Sequence, residues 1–371
     1  MKADFFSLFI YWGALLLSVY LCVRYQKTPH KSVVSKVLGI LLICLPLSVV
    51  SGLRYNVGTD YEFYNEFFLV NGHYKLDDLV NSSHFELGFL LLIKLCNILF
   101  DKSTFFFFFT IEFFSLFLAV CGFLKFSNRI NLALSFFLYY IFFYHFSLNG
   151  IRSAIAISFL IFSYYYLINE KWLKYYLVIF GGFFFHHTII ICAIYPMILF
   201  FSGKYTSSGT YIKASKKTTG YVVLIITMMY LLSTFLAYTV QLLFATKYEG
   251  YLEGEKTEFG IGTIAMFVMY TIPLLVSNWN VIRNSKDYAR LRDLAIFYIP
   301  VSLIGYYATW GDRINMFSEV AFLFLFSLTA NDKAIKTWSK YYTVGWCVLV
   351  YVYFILILNF HNTFPYVFIS Q

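Results

Sequence analysis

Four short segments of this chain place polar side chains capable of chemistry between long apolar stretches. They cover residues 51–61, 147–152, 183–188 and 310–315. Ionisable side chains are costly at membrane depth, so we treat such positions as functional candidates. The candidates are Arg54, Asp60, Asn149, Arg152, His186, Asp312 and Arg313.

Three of these side chains are arginines, at positions 54, 152 and 313. A guanidinium group offers a planar fork of N–H donors that suits phosphate oxygens. If the segments meet at one membrane face, their arginines predict a binding site for a pyrophosphate headgroup. Arg152 begins a helix, where the helix dipole disfavours a cation. That position predicts an anionic partner, either a ligand or an Asp or Glu side chain.

Structural roles are the alternative explanation for each segment taken alone. Arg54 fits an interfacial anchor among tyrosines, with its charge reaching the headgroup layer. Asn149 fits an ordinary loop cap, and adjacent Asp312 and Arg313 fit a pair that neutralises charge at the interface. A lone buried histidine is more often a core residue than a catalyst. The recurrence of arginine at three such ends is what favours binding.

A metal site is not expected from these residues. His186 and His187 are adjacent and point in different directions on a helix, whereas a two-histidine metal site needs a spacing of four. The six cysteines include no C-x-x-C pair, and there is no compact group of carboxylates. We therefore expect no metal and no cofactor, with the arginines themselves neutralising a departing pyrophosphate.

The composition requires lipid around the elements that hold these residues. Hydrophobic residues make up 60% of the 371 residues and charged residues 13%, against about 25% charged in a soluble domain. Apolar segments long enough for helices recur, and the alternating ten-residue pattern of a membrane barrel is absent. The sequence predicts an all-α, polytopic integral membrane protein of about twelve spans.

The topology follows from the basic residues. Most of the 28 Lys and Arg residues fall in alternate loops if segment 86–100 lies at the interface instead of crossing. The basic side is then cytoplasmic, and both termini and all four polar segments are predicted outside. The predicted spans are 5–23, 37–53, 104–124, 130–146, 151–168, 172–186, 187–203, 220–244, 261–279, 293–309, 314–330 and 341–360.

Residues 1–371 are expected to form a single transmembrane domain with an outer-face loop at 54–103. Within that loop, the helical spacing of Glu62, Tyr64 and Glu66 predicts a short interfacial helix over the cleft. The net charge of +9 comes from basic residues in short loops, so we expect the chain to contact the lipid bilayer and not nucleic acid.

The run RYNVGTDY at 54–61, followed by Tyr64, resembles the EpsG-like family of membrane proteins. The element N-x-I-R-x-x-I-A at 149–156, the Phe185-His186 turn and the late Asp312-Arg313 tip resemble that family too. The order and spacing match across about residues 50–200. Such proteins are similar to the Wzy-type polymerases of O-antigen and exopolysaccharide.

The resemblance implies a GT-C-like membrane glycosyltransferase, located in the bacterial inner membrane with its active site facing the periplasm or exterior. It would move a glycan from one undecaprenyl pyrophosphate to the repeat unit on another, and a chain-length regulator is a further partner that this reaction allows. The acceptor hydroxyl needs a base within hydrogen-bond reach, and Asp60 and His186 both qualify. The residues implied to bind pyrophosphate or glycan are Arg54, Tyr55, Asn149, Arg152, Asp312 and Arg313.

Three other activities stay open at this point. A lipid-linked oligosaccharide flippase or other transporter predicts charged side chains in mid-span, of which Glu112 and Glu319 are the main examples. An O-antigen ligase usually carries a larger late outer loop than 245–262. A membrane acyltransferase would also use a histidine such as His186. The sequence gives neither the sugars of the repeat unit nor the linkage and stereochemical outcome.

Overall fold

The computed structural model describes residues 4–29, 32–201, 285–298, 311–331 and 337–369. All regular elements in these ranges are helical, and the one isolated antiparallel bridge among them joins Arg54 to Phe368. The predicted all-α class is therefore confirmed. The predicted spans 220–244 and 261–279, and most of 293–309, lie outside the described residues.

Five of the described helices are long and apolar enough to cross a membrane. They are α1 (Phe5–Lys27), α2 (Val33–Leu53), α6 (Thr104–Lys125), α9 (Ile151–Ile168) and α14 (Thr337–Tyr351), the last continued by a π-helical stretch at Val352–Ile357. Large apolar side chains such as Phe9 and Leu16 are exposed on α1. Such a surface is suited to lipid, and the chain has the character of a membrane protein.

The chain divides into two compact units. The first comprises Met1–Tyr166, Leu173–Ile190 and Gly345–Gln371. In it, α2 packs against both α1 and α6. A Cβ atom at Gly52 would lie 2.9 Å from the carbonyl oxygen of Phe105, so the absence of a side chain at Gly52 is what permits the close approach of α2 and α6.

The loop at 54–103 contains three helices, namely α3 (Tyr61–Asn71), α4 (Leu76–Ser82) and α5 (Leu87–Phe100). The structure thus has two helices, α3 and α4, where one interfacial helix was predicted. Buried side chains of α3, α5, α6 and α9 share one core that includes Phe68, Phe89, Phe107 and Ile155. The rings of Phe68 and Phe107 stack with their centres 4.3 Å apart. This core fixes α3 over the ends of the longer helices.

The predicted hairpin tip at 147–152 is confirmed. Helix α7 (Leu132–Tyr139) widens into a π-helical stretch at Tyr140–Tyr144 and continues as the short α8 (His145–Ser147). Helix α9 begins at Ile151. After it come α10 (Trp172–Phe183), a 3-10 helix at His187–Ile194 and α11 (Tyr195–Phe201). The predicted span 187–203 therefore begins as a 3-10 helix.

The second unit comprises Leu167–Trp172 and Ile191–Val344. Its described helices include α12 (Lys286–Ile296) and α13 (Gly311–Asn331). Glu170 pairs with both Arg290 and Lys286 of α12. The prediction of a loop through 279–292 is wrong from Lys286 onward. Tyr288, Leu291 and Ala295 are buried at a spacing of three and four residues, which is the pattern of an amphipathic helix whose apolar side faces protein.

The last described residues form a segment without helix. The predicted span 341–360 ends at Ile357 in the structure. The 359–369 segment then returns to the end of α2, where the backbone N–H of Ile369 donates to the carbonyl of Leu53 at 2.8 Å.

Candidate functional site

Arg152 is paired with a glutamate from a distant part of the chain. Its Nη1 lies 2.5 Å from Oε2 of Glu86, and its Nε donates to the Tyr64 hydroxyl at 3.3 Å. The ring centre of Phe85 lies 4.6 Å from the guanidinium carbon. Of the two partners that the position of Arg152 predicted, the structure contains the acidic side chain.

Glu86 is the centre of the site. Its side chain is 4% exposed, and its Oε1 lies 3.1 Å from Nδ1 of His186 and 3.2 Å from the backbone nitrogen of His187. Burial alone would raise the pKa of Glu86. The hydrogen bond from His186 and the charge of Arg152 outweigh burial and lower the pKa of Glu86 to about 2. Glu86 is therefore an ionised, acceptor-only group at neutral pH.

The ionised carboxylate determines the tautomer of His186. Because Glu86 can only accept, the hydrogen at this contact belongs to Nδ1. The lone pair of the neutral ring is then on Nε2. A carboxylate that holds Nδ1–H orients the ring and stabilises the imidazolium that forms when Nε2 takes a proton. Glu86 and His186 thus have the construction of a general base.

A close backbone contact brings His186 to Glu86. The N–H of Gly88, in the first turn of α5, donates to the carbonyl of Phe184 at 2.8 Å. A Cβ atom at Gly88 would lie 2.7 Å from that oxygen, so any larger residue would force the two segments apart. Glu86 and His186 each lie two residues from this contact.

Arg54 is fully buried at the end of α2. Its Nη1 donates to the carbonyl of Leu148 at 2.5 Å, and its guanidinium carbon lies 4.5 Å from the ring centre of Phe108. Burial lowers the pKa of Arg54, and the Glu112 carboxylate is among the groups that oppose this effect. The alternative of an arginine extended to the headgroup layer does not fit such burial.

Polar atoms around Arg54 lack hydrogen-bond partners in the described part of the chain. They are Nε and Nη2 of Arg54, the hydroxyl of Tyr61 and Oε1 of Glu112. The other carboxylate oxygen of Glu112 accepts from Ser147 at 2.7 Å. A buried polar group without a partner costs about 1–3 kcal/mol. This region therefore keeps donors and an acceptor unused at a measurable cost.

Arg54 and Arg152 are connected through α3. Tyr61 lies beside Arg54, with its ring centre 5.6 Å from the guanidinium carbon. One turn later Tyr64 accepts from Arg152. The hairpin tip is the second link, because Leu148 bonds to Arg54 and Arg152 follows it by four residues. The first unit thus brings together Arg54, Arg152 and His186.

Asn149 joins three parts of the first unit. Its Oδ1 accepts from the backbone N–H of Thr59 at 2.7 Å, and its Nδ2 donates to the carbonyl of His361 at 2.7 Å. Gly58 has φ +100 and closely approaches the amide of Asn149. The structure gives Asn149 a structural role, and its predicted contact with substrate stays a prediction.

The other predicted site residues are less enclosed. Asp60 immediately precedes α3 and accepts from the hydroxyl of Thr59 at 3.0 Å. Tyr55 is 49% exposed. Asp312 and Arg313 belong to the first turn of α13, in the second unit. Their side chains lie outside the described residues, so the predicted roles of Asp312 and Arg313 stay predictions.

Sequence reasoning assigned no site role to Glu86, Tyr64 or the 359–369 segment. Two signals pointed to Glu86: it precedes an apolar segment, and Arg152 needed an anion. Among the described residues, no group of three or more His, Cys, Asp or Glu side chains could hold a metal ion. The absence of metal from the reaction stays a prediction.

The helices and this site define an all-helical membrane protein with a buried charged cluster at the ends of its helices. A model of the EpsG family matches residues 37–368. The chain therefore belongs to the EpsG family, as its motifs predicted. This makes it a membrane protein of polysaccharide biosynthesis, in a family that is glycosyltransferase-like. The comparisons with curated proteins and with solved structures found no match.

Proposed function

We propose that this protein is a metal-independent glycosyltransferase that joins undecaprenyl-pyrophosphate-linked repeat units into O-antigen or exopolysaccharide. In this proposal it has about twelve spans in a GT-C-like arrangement, lies in the bacterial inner membrane and carries its site at the outer face. Family membership supports the class of activity. The observation that carries the proposal is the hydrogen-bonded series of Arg152, Glu86 and His186.

In the proposed reaction, His186 is the base. Nε2 of His186 accepts the proton of the acceptor hydroxyl, and that oxygen forms a bond to the anomeric carbon of the donor glycan. The bond between this carbon and the pyrophosphate oxygen breaks, and undecaprenyl pyrophosphate leaves with the electron pair. Glu86 stabilises the imidazolium, which afterwards releases its proton to water.

The departing diphosphate needs positive charge in a site shielded from water. Arg152 lies next to the proposed base, and it begins α9, whose N-terminal N–H groups also favour anions. Arg54, Arg313 and Asp312 complete the proposed substrate contacts, together with Tyr55 and Asn149.

The geometry favours His186 over Asp60 as the base. His186 is buried and has a carboxylate on the nitrogen that does not react. Asp60 accepts from a neighbouring hydroxyl and has no comparable supporting group in the described ranges. The two candidates make different predictions for substitution.

The test uses purified protein in detergent with lipid-linked repeat units, and product length is read on a gel. His186→Ala is expected to lower the rate of polymerisation by about 100-fold or more, whereas Asp60→Asn retains most of it. His73→Ala, which changes an exposed histidine, is the matched control. Full activity of His186→Ala would refute the proposed base.

Experiments in cells separate the competing activities. Loss of a polymerase leaves a single repeat unit on the lipid core, whereas loss of a flippase leaves none. A ligase defect leaves polymer on its carrier lipid, and an acyltransferase defect leaves chain length unchanged. We expect the His186→Ala strain to show the single repeat unit at normal protein abundance.

A further inference from the structure

The 359–369 segment pairs with the backbone that surrounds Arg54. Ile369 donates to the carbonyl of Leu53 and Tyr55 donates to the carbonyl of Val367, both at 2.8 Å. This is the pattern of a short antiparallel pair, in which Phe368 lies opposite Arg54. Gly58 adds a third bond, to the carbonyl of Asn362 at 3.0 Å. The segment therefore covers the backbone on both sides of Arg54.

Side chains hold the same segment in place. The hydroxyl of Tyr366 donates to the carbonyl of Val50 at 2.7 Å, and its backbone N–H donates to the hydroxyl of Ser7 at 2.7 Å. The hydroxyl of Tyr11 donates to the carbonyl of Thr363 at 3.0 Å. The charge of Arg54 opposes the rise in pKa that burial gives Tyr366, which places the Tyr366 phenol within electrostatic range of the guanidinium group.

The unused atoms of Arg54 are the edge of the guanidinium group that binds oxyanions with two donors. Nη1 is occupied by the carbonyls of Leu148 and Val57. Nε and Nη2, whose N–H bonds are parallel, have no partner in the described chain. Two parallel donors match two oxygens of a phosphate group. Arg54 is buried completely, so such a group has no access while the segment is in place.

We propose that the 359–369 segment is a gate over Arg54, which opens to admit a diphosphate group to the Nε and Nη2 edge. Under the proposed function, on which the identity of the ligand rests, that group belongs to the polyprenyl carrier lipid. Val367 and Phe368 are exposed apolar residues of the segment, at 44% and 43%. An opened segment can therefore remain in contact with lipid.

A reversible disulfide tests the gate. Leu53 and Ile369 are opposite each other in the antiparallel pair, where Cα atoms are about 5.5 Å apart, a separation that a disulfide spans. In the double variant Leu53→Cys/Ile369→Cys, undecaprenyl pyrophosphate should bind at least tenfold more weakly after oxidation than after reduction. Each single variant should bind equally in both states. Equal affinity of the oxidised and reduced double variant would overturn the gate.

Substitution of Arg54 identifies the donor edge. Arg54→Lys keeps the charge but not the two parallel donors, and it should weaken binding about tenfold. Arg24→Gln, at an exposed arginine of α1, should not. Inorganic pyrophosphate is the second probe: redox-dependent binding of pyrophosphate as well as of the lipid assigns the site to the diphosphate alone. Redox-dependent binding of the lipid alone shows that the chain also recognises the polyprenyl tail.

Hydrogen exchange in the unmodified protein covers the case in which the double variant does not fold. Undecaprenyl pyrophosphate should accelerate exchange at the amides of Tyr55, Gly58 and Ile369, and unchanged or slower exchange would contradict an opening gate. The binding assays need no turnover, so His186→Ala can be used throughout. Loss of polymerisation with intact redox-dependent binding counts against the reaction, and the reverse result counts against the gate.

Discussion

Replacing Glu86 by glutamine removes the charge at the centre of the site and keeps its volume. The pKa of Glu86 falls from its ordinary value of 4.5 to about 2 in the folded protein. At about 1.4 kcal/mol for each pKa unit, this difference corresponds to about 3 kcal/mol in favour of the folded state. Loss of one partner from a buried ion pair costs about 3–5 kcal/mol in other proteins. We therefore expect Glu86→Gln to lose about 3 kcal/mol of stability at pH 7.

The dependence on pH has a definite sign. Because the folded protein lowers the pKa of Glu86, its contribution is complete above the ordinary value of 4.5 and is lost as the pH falls towards 2. The stability difference between the unmodified protein and Glu86→Gln should therefore shrink steadily between pH 5 and pH 2.

Unfolding by SDS in mixed micelles, followed by tryptophan fluorescence, measures this difference. Glu62→Gln is the matched control because Glu62 is exposed on α3, and we expect it to change stability by about 0.5 kcal/mol at most. A difference for Glu86→Gln below about 1 kcal/mol, or one that stays constant from pH 5 to pH 2, would refute the assignment of a buried ion pair to Arg152 and Glu86.

Three further outcomes follow from the geometry of the first unit. Gly58→Ala should lower stability by about 1–3 kcal/mol because of the positive φ and the nearby amide of Asn149. Gly13→Ala, with nothing within 4 Å of the added atom, is its control in the same unfolding assay. Arg152→Lys should lower the rate of polymerisation at least tenfold, since an ammonium group cannot reproduce the paired contacts to Glu86 and Tyr64. EDTA should leave that rate unchanged, and abolition of activity by the chelator would disprove the metal-free reaction.

The long helices were predictable because hydrophobicity alone determines them. Helix α9 occupies the predicted range 151–168, and α6 exceeds its predicted range by one residue. Helix α12 was missed because its charged residues resemble a loop when only overall hydrophobicity is considered. Its buried residues reveal themselves through spacing, which is a weaker signal in a chain dominated by apolar stretches.

The site was predictable residue by residue but not as an assembly. Arg152 and His186 were identified, and the need of Arg152 for an anion was recognised. Glu86 lies 66 residues before Arg152 and 100 before His186, and no local pattern encodes contacts at such separations. The complete burial of Arg54 had no sequence signal either, because the residues that cover it come from the far end of the chain.

The π-helical stretch at Tyr140–Tyr144 has a consequence for the length of this hairpin. A π-helical turn contains one residue more than an α-helical turn. Deleting one residue between 139 and 147 would let the helix close into regular α geometry, and everything after it would rotate by about 100° around the axis. Ser147 would then point away from Glu112, and the carbonyl of Leu148 away from Arg54. The number of residues in this stretch is therefore as tightly constrained as their identity.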